Sequence, residues 1–224
     1  MAGAIEILKE QLVAKGHGIL RRFFVRRDRR DGSEQTLNHE IYDTGDGAAI
    51  LLYDPDRSRV VLVRQFRLIA FLREGRPTMI EVCAGRLDGE NAEARIIKEA
   101  EEETGYRIRH PRRLFEAYMS PGVFAEKLTF FAARYSPADR AGDGGGLHQE
   151  GEDIEVLEPT LGEALAMIER GEIIDAKTIL LLNYADQAGL MRISADQPSG
   201  ETPPSPAHEA ADPLTRPERP VFFD

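Results

Sequence analysis

The chain has 224 residues, of which 42% are hydrophobic and 30% charged, so its composition is that of a folded globular protein and excludes a wholly disordered one. A formal net charge of −10 at pH 7 argues against general nucleic-acid binding, because phosphate backbones attract basic surfaces. The single cysteine, Cys83, excludes a disulfide framework and a cysteine-based zinc cluster, and no segment approaches the ~18 consecutive apolar residues of a membrane span.

Strand patterns dominate the first half of the chain, and helical patterns are concentrated later. We predict strands at residues 19–25, 36–42, 48–53, 60–66, 79–83, 114–118, 128–135 and 154–157. We predict helices at residues 92–104, 161–170 and 177–185. Because strands and helices do not alternate in regular βα units, this order predicts an α+β fold around a mixed sheet.

The composition changes sharply near the C-terminus. Residues 195–224 contain seven of the 13 prolines and carry six acidic side chains against two arginines. Such a segment cannot bury a core, so it is predicted to be a disordered, acidic, Pro-rich tail. The folded body then divides into an N-terminal strand region, 1–45, and a main domain, 46–194.

The predicted helix at 92–104 carries three glutamates on one face. Glu99, Glu102 and Glu103 are related by i+3 and i+4 spacing, so their carboxylates project together. Their mutual repulsion would be relieved by a hard divalent cation such as Mg²⁺ or Mn²⁺, which prefers oxygen ligands. A solvated acidic helix face is the alternative interpretation, and charge alone does not distinguish the two.

The segment AGRLDGENAEARIIKEAEEETGY resembles the Nudix box, G-x5-E-x7-R-E-U-x-E-E-x-G-U, in which U is a bulky apolar residue. Counting back from Gly105, the three glutamates of the helix occupy the three main glutamate positions of the box. The other positions are filled by Lys98 for the usual arginine, Glu90 for the first glutamate and Ala84 for the first glycine. Lysine lacks the bidentate guanidinium fork, so Lys98 would orient a neighbouring glutamate less well.

The resemblance extends over most of the body. HEIYDTGDGAAILLYD, VVLVRQFR, IEVCAGRLD, LFEAYMSPG, GEDIEVLE and GEIIDAKTILLLNY are similar to the nucleoside-diphosphate-sugar branch of the Nudix hydrolases. This resemblance implies a Nudix α/β/α sandwich around a mixed sheet for residues 46–194. It also implies that the strands of residues 1–45 reach across a homodimer.

The resemblance further implies a set of site residues. Mg²⁺, or Mn²⁺ in its place, would be bound by the Ala84 carbonyl and by Glu99, Glu103 and Glu152. The catalytic set implied by the family is Glu99, Glu102, Glu103 and Glu152. Whether Glu152 or a glutamate of the box accepts the proton of the attacking water stays open, with Glu152 favoured. The substrate contacts implied are His17, Asn38, His39, Glu40, Arg67, Ala84, Gly85, Arg86, Glu126 and Lys177. Of these, His17, Asn38, His39 and Glu40 would approach the nucleotide from the partner subunit.

The implied function is Mg²⁺-dependent hydrolysis of a nucleoside diphosphate sugar, with GDP-mannose cleaved to GMP and mannose 1-phosphate. One alternative is hydrolysis of ADP-ribose to AMP and ribose 5-phosphate, since the same metal site would serve. Another is a module of the same fold that binds a nucleotide sugar without cleaving it, although the presence of all four glutamates favours catalysis. We expect a cytoplasmic homodimer without nucleic-acid or membrane partners.

Two further features of the sequence are a cluster of arginines and a run of glycines. The arginine cluster, Arg21, Arg22, Arg26, Arg27, Arg29 and Arg30, could form a cationic arm, but an exposed hairpin balanced by acidic residues is favoured. The glycine run at 142–146 is predicted to be a flexible loop. It is not a phosphate-binding P-loop, because no Gly-Lys-Ser/Thr follows it.

Overall fold

A computed structural model describes residues 4–192, apart from the side chain of Glu150. The predicted tail, 195–224, lies outside the described residues. Within the described range, no helix has the length and apolar character needed to cross a bilayer.

The structure contains ten strands and four helices in the described range. The strands are β1 (Ile5–Lys15), β2 (Ile19–Asp28), β3 (Glu34–Asp43), β4 (Gly47–Asp54), β5 (Arg59–Phe66), β6 (Thr78–Glu81), β7 (Cys83–Arg86), β8 (Arg112–Tyr118), β9 (Lys127–Arg134) and β10 (Glu155–Leu157). The helices are α1 (Leu68–Glu74), α2 (Ala92–Thr104), α3 (Leu161–Glu169) and α4 (Ala176–Gln187). Two short 3₁₀ turns lie at Pro137–Asp139 and His148–Glu150.

The strands form two sheets. β1, β2 and β3 form an antiparallel three-stranded sheet in sequence order. The second sheet has the order β10-β5-β4-β9-β8, with β6 paired to β5 and β7 paired to β4. Its only parallel pair in the described chain is β4 with β9, so the sheet is mixed, as predicted.

The larger sheet separates two layers of helices. Because strand side chains alternate between faces, Ala48, Ile50 and Leu52 of β4 pack with Ile96 and Ala100 of α2 on one side. On the other side the sheet packs against α3 and α4, through core residues that include Ala49, Leu51, Leu62, Phe130, Leu161, Ala164, Leu181 and Leu182. This three-layer arrangement confirms the predicted α+β class and the Nudix-type α/β/α sandwich.

The segment predicted as one strand at 79–83 is two strands that exchange partners. β4 and β5 pair with each other only from Leu52↔Val61 to Asp54↔Arg59. Farther along they separate, so that β6 pairs with β5 up to Glu81, and β7 pairs with β4 from Cys83 onward. The short and mostly apolar run at 79–83 predicts a strand but carries no signal for this change of partner. The split matters because it brings Glu81 and Ala84 to the region where the cavity described below opens.

The sequence patterns did not predict β1 or α1. Every residue of β1 is exposed, so its strand pairing comes from backbone hydrogen bonds with β2 and leaves no alternation of buried and exposed residues. In α1, Ala70 is the only buried residue, which leaves no apolar stripe for a helical period to reveal.

Four of the six arginines of the cluster lie on β2 of the three-stranded sheet, and three of these four are paired with carboxylates. Arg21 pairs with Glu10 at 2.9 Å and Arg22 with Glu40 at 2.5 Å, while Arg26 pairs with Glu6. The acidic partners of these three arginines come from the neighbouring strands β1 and β3. The structure therefore agrees with the exposed-hairpin interpretation of the cluster.

Helix α2 is held at both ends. Asn91 caps its N-terminus, where the side-chain oxygen accepts hydrogen bonds from the amides of Glu93 and Ala94. At the other end Gly105 adopts a left-handed conformation, with φ of 76°, and its amide donates to the Glu101 carbonyl.

The glycine run does not extend freely into solvent, which differs from the flexible loop that was expected. The Gly145 amide donates to the Glu103 carbonyl at 2.9 Å, and the Gly146 amide donates to the Glu102 carbonyl at 3.0 Å. The last carbonyls of a helix have no partner within it, and this loop supplies the missing donors. The loop therefore fixes the end of α2 that carries the acidic residues.

We expect Gly105→Ala to destabilise the protein. The left-handed backbone conformation alone costs a non-glycine residue about 1–2 kcal/mol, and a Cβ at this position would lie 2.3 Å from the Gly142 carbonyl oxygen. Urea unfolding followed by circular dichroism measures the loss. Gly16→Ala is the matched control, since a Cβ there meets nothing within 4 Å. Equal stability of the two variants would contradict the packing described for the glycine run.

Candidate active site

A cavity of about 630 Å³ opens beside α2. Its walls come from the end of β5, from β7, from α2, from the loops around Glu126 and Glu152, and from the start of α4. Seven carboxylates and four arginine or lysine side chains line it, so its charge is predominantly acidic.

The structure brings most of the predicted site residues to this cavity. Those that line it are His17, Arg67, Ala84, Gly85, Arg86, Glu99, Glu102, Glu103, Glu126, Glu152 and Lys177. The predicted residues Asn38, His39 and Glu40 do not line it. They lie on β3, where Glu40 pairs with Arg22.

The carboxylates of α2 differ in their surroundings. Glu99 and Glu103 are buried, at 7% and 2% exposure, and Glu102 is half-buried. Glu99 is paired with Arg95, whose Nη2 lies 2.5 Å from Oε1. Within the described residues, Glu103 Oε2 is buried without a hydrogen-bond partner. A buried acceptor without a partner is costly and rare in native proteins, and at this position it points to a ligand.

The burial of Glu103 makes its carboxyl group harder to ionise. Burial, reinforced by the negative charges of Glu99 and Glu152, raises its pKa to about 8, although the nearby Cys83 thiol and Ala84 amide act in the opposite direction. Burial also raises the pKa of Glu99, against the effect of Arg95. In the metal-free protein Glu103 therefore holds a proton at neutral pH.

Gly85 is the residue that makes room for Glu99. A Cβ built on Gly85 would lie 1.9 Å from Glu99 Oε1, a distance that no side chain could accept. The neighbouring strand β4 pairs with this segment at Ala48↔Gly85, so the backbone cannot move aside freely. The absence of a side chain at position 85 thus lets the Glu99 carboxylate lie against β7.

Glu152 reaches the cavity from a separate loop. Its Oε2 accepts a hydrogen bond from the Leu147 amide at 2.8 Å. A Cβ on Gly146 would lie 2.5 Å from the same oxygen, so this glycine lets the loop fold tightly around the carboxylate. Because Gly146 also bonds to the Glu102 carbonyl, the loop links Glu152 to the end of α2.

The donor set fits a hard divalent cation. Within the described part of the chain no three His, Cys, Asp or Glu side chains already form a complete metal site. The lining does provide carboxylates from α2 and Glu152, the backbone of Ala84, and the unpartnered Glu103 oxygen. Mg²⁺ is usually held by one or two carboxylates together with waters and substrate phosphates, so an incomplete protein cage is what this cation uses.

His17 joins the cavity from the turn between β1 and β2 of the same chain. Its Nε2 lies 3.0 Å from Arg86 Nη1, and Arg86 also pairs with Asp88 at 3.1 Å. The turn is anchored by Tyr42, whose hydroxyl accepts a hydrogen bond from the Gly18 amide. The sequence interpretation assigned His17 to the partner's site, but in this structure it already contacts a cavity residue of its own chain.

The sequence reasoning missed four polar residues of the cavity lining, Gln65, Asp88, Arg95 and Asp175, and it also missed the buried Glu81, which contacts the lining residues Arg67 and Lys177. Arg95 precedes Glu99 by four residues on α2, and this spacing alone could have predicted the pair. Lys98, in the arginine position of the box, pairs with Glu90 at 2.5 Å. Glu81 is a single carboxylate inside an apolar strand, and Asp175 caps the N-terminus of α4.

Comparison with known proteins agrees with this geometry. The sequence model of the NUDIX domain family matches residues 43–180. A GDP-mannose pyrophosphatase of Citrobacter koseri is 46% identical over 192 residues, which cover 85% of this chain and the whole of that relative. GDP-mannose pyrophosphatases of Escherichia coli O1:K1 / APEC and Shigella flexneri serotype 5b are each 45% identical with the same coverage. The predicted resemblance is thereby confirmed, and Nudix hydrolases generally need a divalent metal ion.

We expect the stability of the metal-free protein to fall as pH rises from about 4.5 to about 8. The pKa of Glu103 is raised from 4.5 to about 8 by burial, so in this window the unfolded chain has ionised while the folded chain retains the proton. Glu103→Gln cannot ionise, and its stability advantage over the wild type should grow with pH. Each pKa unit corresponds to about 1.4 kcal/mol, and we expect at least that difference at pH 8.

Urea unfolding in EDTA, followed by circular dichroism at several pH values, measures this difference. Glu101→Gln is the matched control, because Glu101 is on the same helix and the hydrogen bond from Arg107 lowers its pKa. If the free energies of unfolding of the wild type and of Glu103→Gln changed in parallel with pH, the raised pKa of Glu103 would be contradicted.

Proposed function

We propose, since the chain belongs to the Nudix family, that it hydrolyses GDP-mannose. Water adds across the phosphoanhydride bond, and the products are GMP and mannose 1-phosphate. The observation that carries the proposal is that the four candidate glutamates line one cavity together with Arg67, Arg86 and Lys177. The identity of 45–46% along the whole length of relatives named GDP-mannose pyrophosphatase supports the choice of substrate.

Mg²⁺ is the metal we propose for this site, with Mn²⁺ as a possible substitute. The Ala84 carbonyl and the carboxylates of Glu99, Glu103 and Glu152 would hold it. When bound, such an ion neutralises the charge of diphosphate oxygens and lowers the pKa of a coordinated water. An acidic cavity would otherwise repel the diphosphate, which is why a cation is needed there.

The side chains of the chain itself have three proposed roles. Arg67, Arg86 and Lys177 are placed to donate hydrogen bonds to phosphate oxygens, which charged donors bind strongly. Glu152, or alternatively a glutamate of the box, accepts the proton of the attacking water. Arg95 keeps Glu99 oriented through their 2.5 Å ion pair.

The remaining contacts concern the nucleotide and the sugar. His17, Gly85 and Glu126 line the cavity and are proposed to contact them. Burial raises the pKa of Glu126, opposed mainly by Lys177, so this carboxyl gains protons more readily than an exposed glutamate. A half-buried carboxyl suits the recognition of sugar or ribose hydroxyl groups, which donate hydrogen bonds.

A homodimer is proposed because it would bring Asn38, His39 and Glu40 to a cavity. These residues do not line the cavity of their own chain. The three-stranded sheet that carries them exposes apolar side chains on β1, among them Ile5 at 71% and Ile7 at 62%. Exposed apolar surface of this kind is typical of an interface between copies. A cytoplasmic location stays a prediction.

A mixing experiment tests the contribution of a second copy. Asn38→Ala/His39→Ala and Glu103→Gln are each expected to be inactive alone. If β3 serves the neighbouring cavity, refolding the two variants together regains roughly a quarter of wild-type activity, because half of the dimers then carry one intact site. No recovery in mixtures that light scattering shows to contain dimers would mean that β3 does not complete a neighbouring site.

The substrate is tested by parallel product assays. The purified protein receives GDP-mannose or ADP-ribose with Mg²⁺, and products are separated by anion-exchange chromatography. We expect GMP and mannose 1-phosphate to form faster than AMP and ribose 5-phosphate. Glu103→Gln should remove turnover by more than about a hundredfold, as expected for a lost electrostatic group of an active site, while the circular dichroism spectrum is unchanged.

The other outcomes of this assay correspond to the alternatives. Faster cleavage of ADP-ribose would retain the site and change the substrate. Saturable binding of either nucleotide without cleavage would make the chain a non-catalytic nucleotide-sugar-binding module. Full activity of Glu103→Gln would contradict the assignment of the metal site.

A further inference from the structure

Two cationic side chains of the cavity share one buried carboxylate, that of Glu81. Arg67 Nε donates to Glu81 Oε1 at 2.6 Å, and Arg67 Nη2 donates to Oε2 at 3.1 Å. Lys177 Nζ donates to the same Oε2 at 2.5 Å. Glu81 is only 2% exposed and lies behind the cavity wall, whereas both of its partners line the cavity.

The carboxylate of Glu81 is ionised despite its burial. Burial opposes the charge, but the hydrogen bonds from Arg67 and the positive charge of Lys177 outweigh it and lower the pKa of Glu81. Burial likewise opposes the charge of Lys177, yet Glu81 and Asp175 raise its pKa. Glu81, Arg67 and Lys177 therefore all remain charged at neutral pH, because the charge of Glu81 and those of the two cations stabilise each other.

The backbone that carries Lys177 is fixed to the strand that carries Glu81. The Val82 amide donates to Thr178 Oγ1 at 2.8 Å, and Thr178 Oγ1 donates to Asp175 Oδ2 at 2.5 Å. Asp175 also contacts Lys177 Nζ at 3.0 Å. The start of α4 is thus held against Val82, and the lysine head cannot swing away from Glu81 without breaking these contacts.

Arg67 and Lys177 each have N–H donors that are not used in contacts with the described chain and can bind a ligand. A guanidinium has five N–H donors and an ammonium has three. Of the contacts in the described chain, Arg67 uses two donors on Glu81, and Lys177 uses one on Glu81 and one on Asp175. Three donors of Arg67 and one of Lys177 are left, and both residues line the cavity.

A purely structural role would not require this arrangement. Replacing a buried ion pair by well-packed apolar residues is often neutral or stabilising, so the ion pairs of Glu81 are weak contributors to folding. What the carboxylate provides is geometry, because a bidentate contact fixes the plane of a guanidinium. In its absence, Arg67 could turn toward the nearby acidic groups Glu103 and Asp175, whose charges already act on it.

We propose that Glu81 is a positioning residue that holds Arg67 and Lys177 in place for the phosphate oxygens of the substrate. This inference rests on the proposed function for the identity of the substrate. Glu81 itself does not touch the ligand, and it acts by keeping two donors at a fixed separation and away from the metal-binding carboxylates. Its loss weakens substrate binding more than it slows the chemical step.

The first test compares Glu81→Gln with the wild type by steady-state kinetics on GDP-mannose with Mg²⁺. The amide keeps the size of the side chain but loses the charge, and we expect KM to rise about tenfold or more with kcat within about threefold, the pattern of lost uniform binding. Glu81→Asp keeps the charge and should recover part of the KM increase. Glu158→Gln is the matched control.

Glu158 suits this control because it also gathers several donors and lies away from the cavity. It accepts hydrogen bonds from Tyr106 at 2.6 Å, Tyr135 at 3.1 Å and Arg57 at 3.1 Å. Its substitution is expected to lower stability without changing KM. A KM increase of the same size in Glu158→Gln would mean that general loosening of the fold explains the effect, and the proposal would be wrong.

The second test is independent of turnover. Calorimetric titration with inorganic pyrophosphate in the presence of Mg²⁺ should give a Kd about tenfold weaker for Glu81→Gln than for the wild type. In the double variant Glu81→Gln/Arg67→Ala, the two losses should combine to less than their product, because both act on one contact. Fully multiplicative losses, or unchanged KM and Kd in Glu81→Gln, would overturn the proposal.

These measurements separate the inference from the proposed function. A wild type that cleaves GDP-mannose while Glu81→Gln behaves identically retains the function and removes the role of Glu81. A wild type that cleaves no nucleotide sugar but binds pyrophosphate in a Glu81-dependent manner removes the function and retains the role. If Glu81→Gln is unfolded by circular dichroism, the comparison rests on Glu81→Asp, which retains the charge but is one methylene shorter. An unchanged KM and Kd in a folded Glu81→Asp would then overturn the proposal.

Discussion

Among the residues that the structure describes, no cationic side chain pairs with the buried Glu103, and much of the surrounding structure keeps this carboxyl buried. Ile96 and Ala100 seat the opposite side of α2 in the core, so the helix cannot rotate to expose its carboxylates. Gly105 and the glycine run then hold the C-terminal end of the helix. A carboxylate on a mobile helix would turn toward water, because burial of a charge is costly.

The positive side chains of the cavity are each paired with specific carboxylates, which leaves other carboxylates of the cavity without a cationic partner in the described chain. Arg95 forms an ion pair with Glu99, and Arg67 and Lys177 both donate hydrogen bonds to Glu81. None of these three cations is therefore paired with Glu103. The separation of β4 from β5 makes this possible, since it creates the position between strands where Glu81 lies. The topology of the sheet therefore determines which acidic groups stay available for a metal.

The local signals in the sequence account for the core strands and for α2, whose bounds 92–104 agree with the structure. They could not predict β1 or α1, because neither buries a face that would create a period. Local spacing predicted only the part of the site whose residues are close in sequence, as for Glu99 and Glu103 on one helix, whereas Arg67, Glu152 and Lys177 were expected from the family resemblance. Glu81 and Lys177 are 96 residues apart, and their contact depends on long-range packing that no local pattern contains.

The raised pKa of Glu103 links the stability of the fold to the ability of the site to bind a metal ion. Burial keeps this carboxyl protonated at neutral pH in the metal-free protein, so the cavity carries one negative charge fewer than its residues suggest. Binding a divalent cation would replace that proton, because metal ligands must be deprotonated. The same burial that makes the ionised carboxylate costly in the metal-free protein makes it a strong partner for a cation. An exposed glutamate in this position would not destabilise the fold when ionised. It would also bind the metal less tightly, since water would screen the interaction.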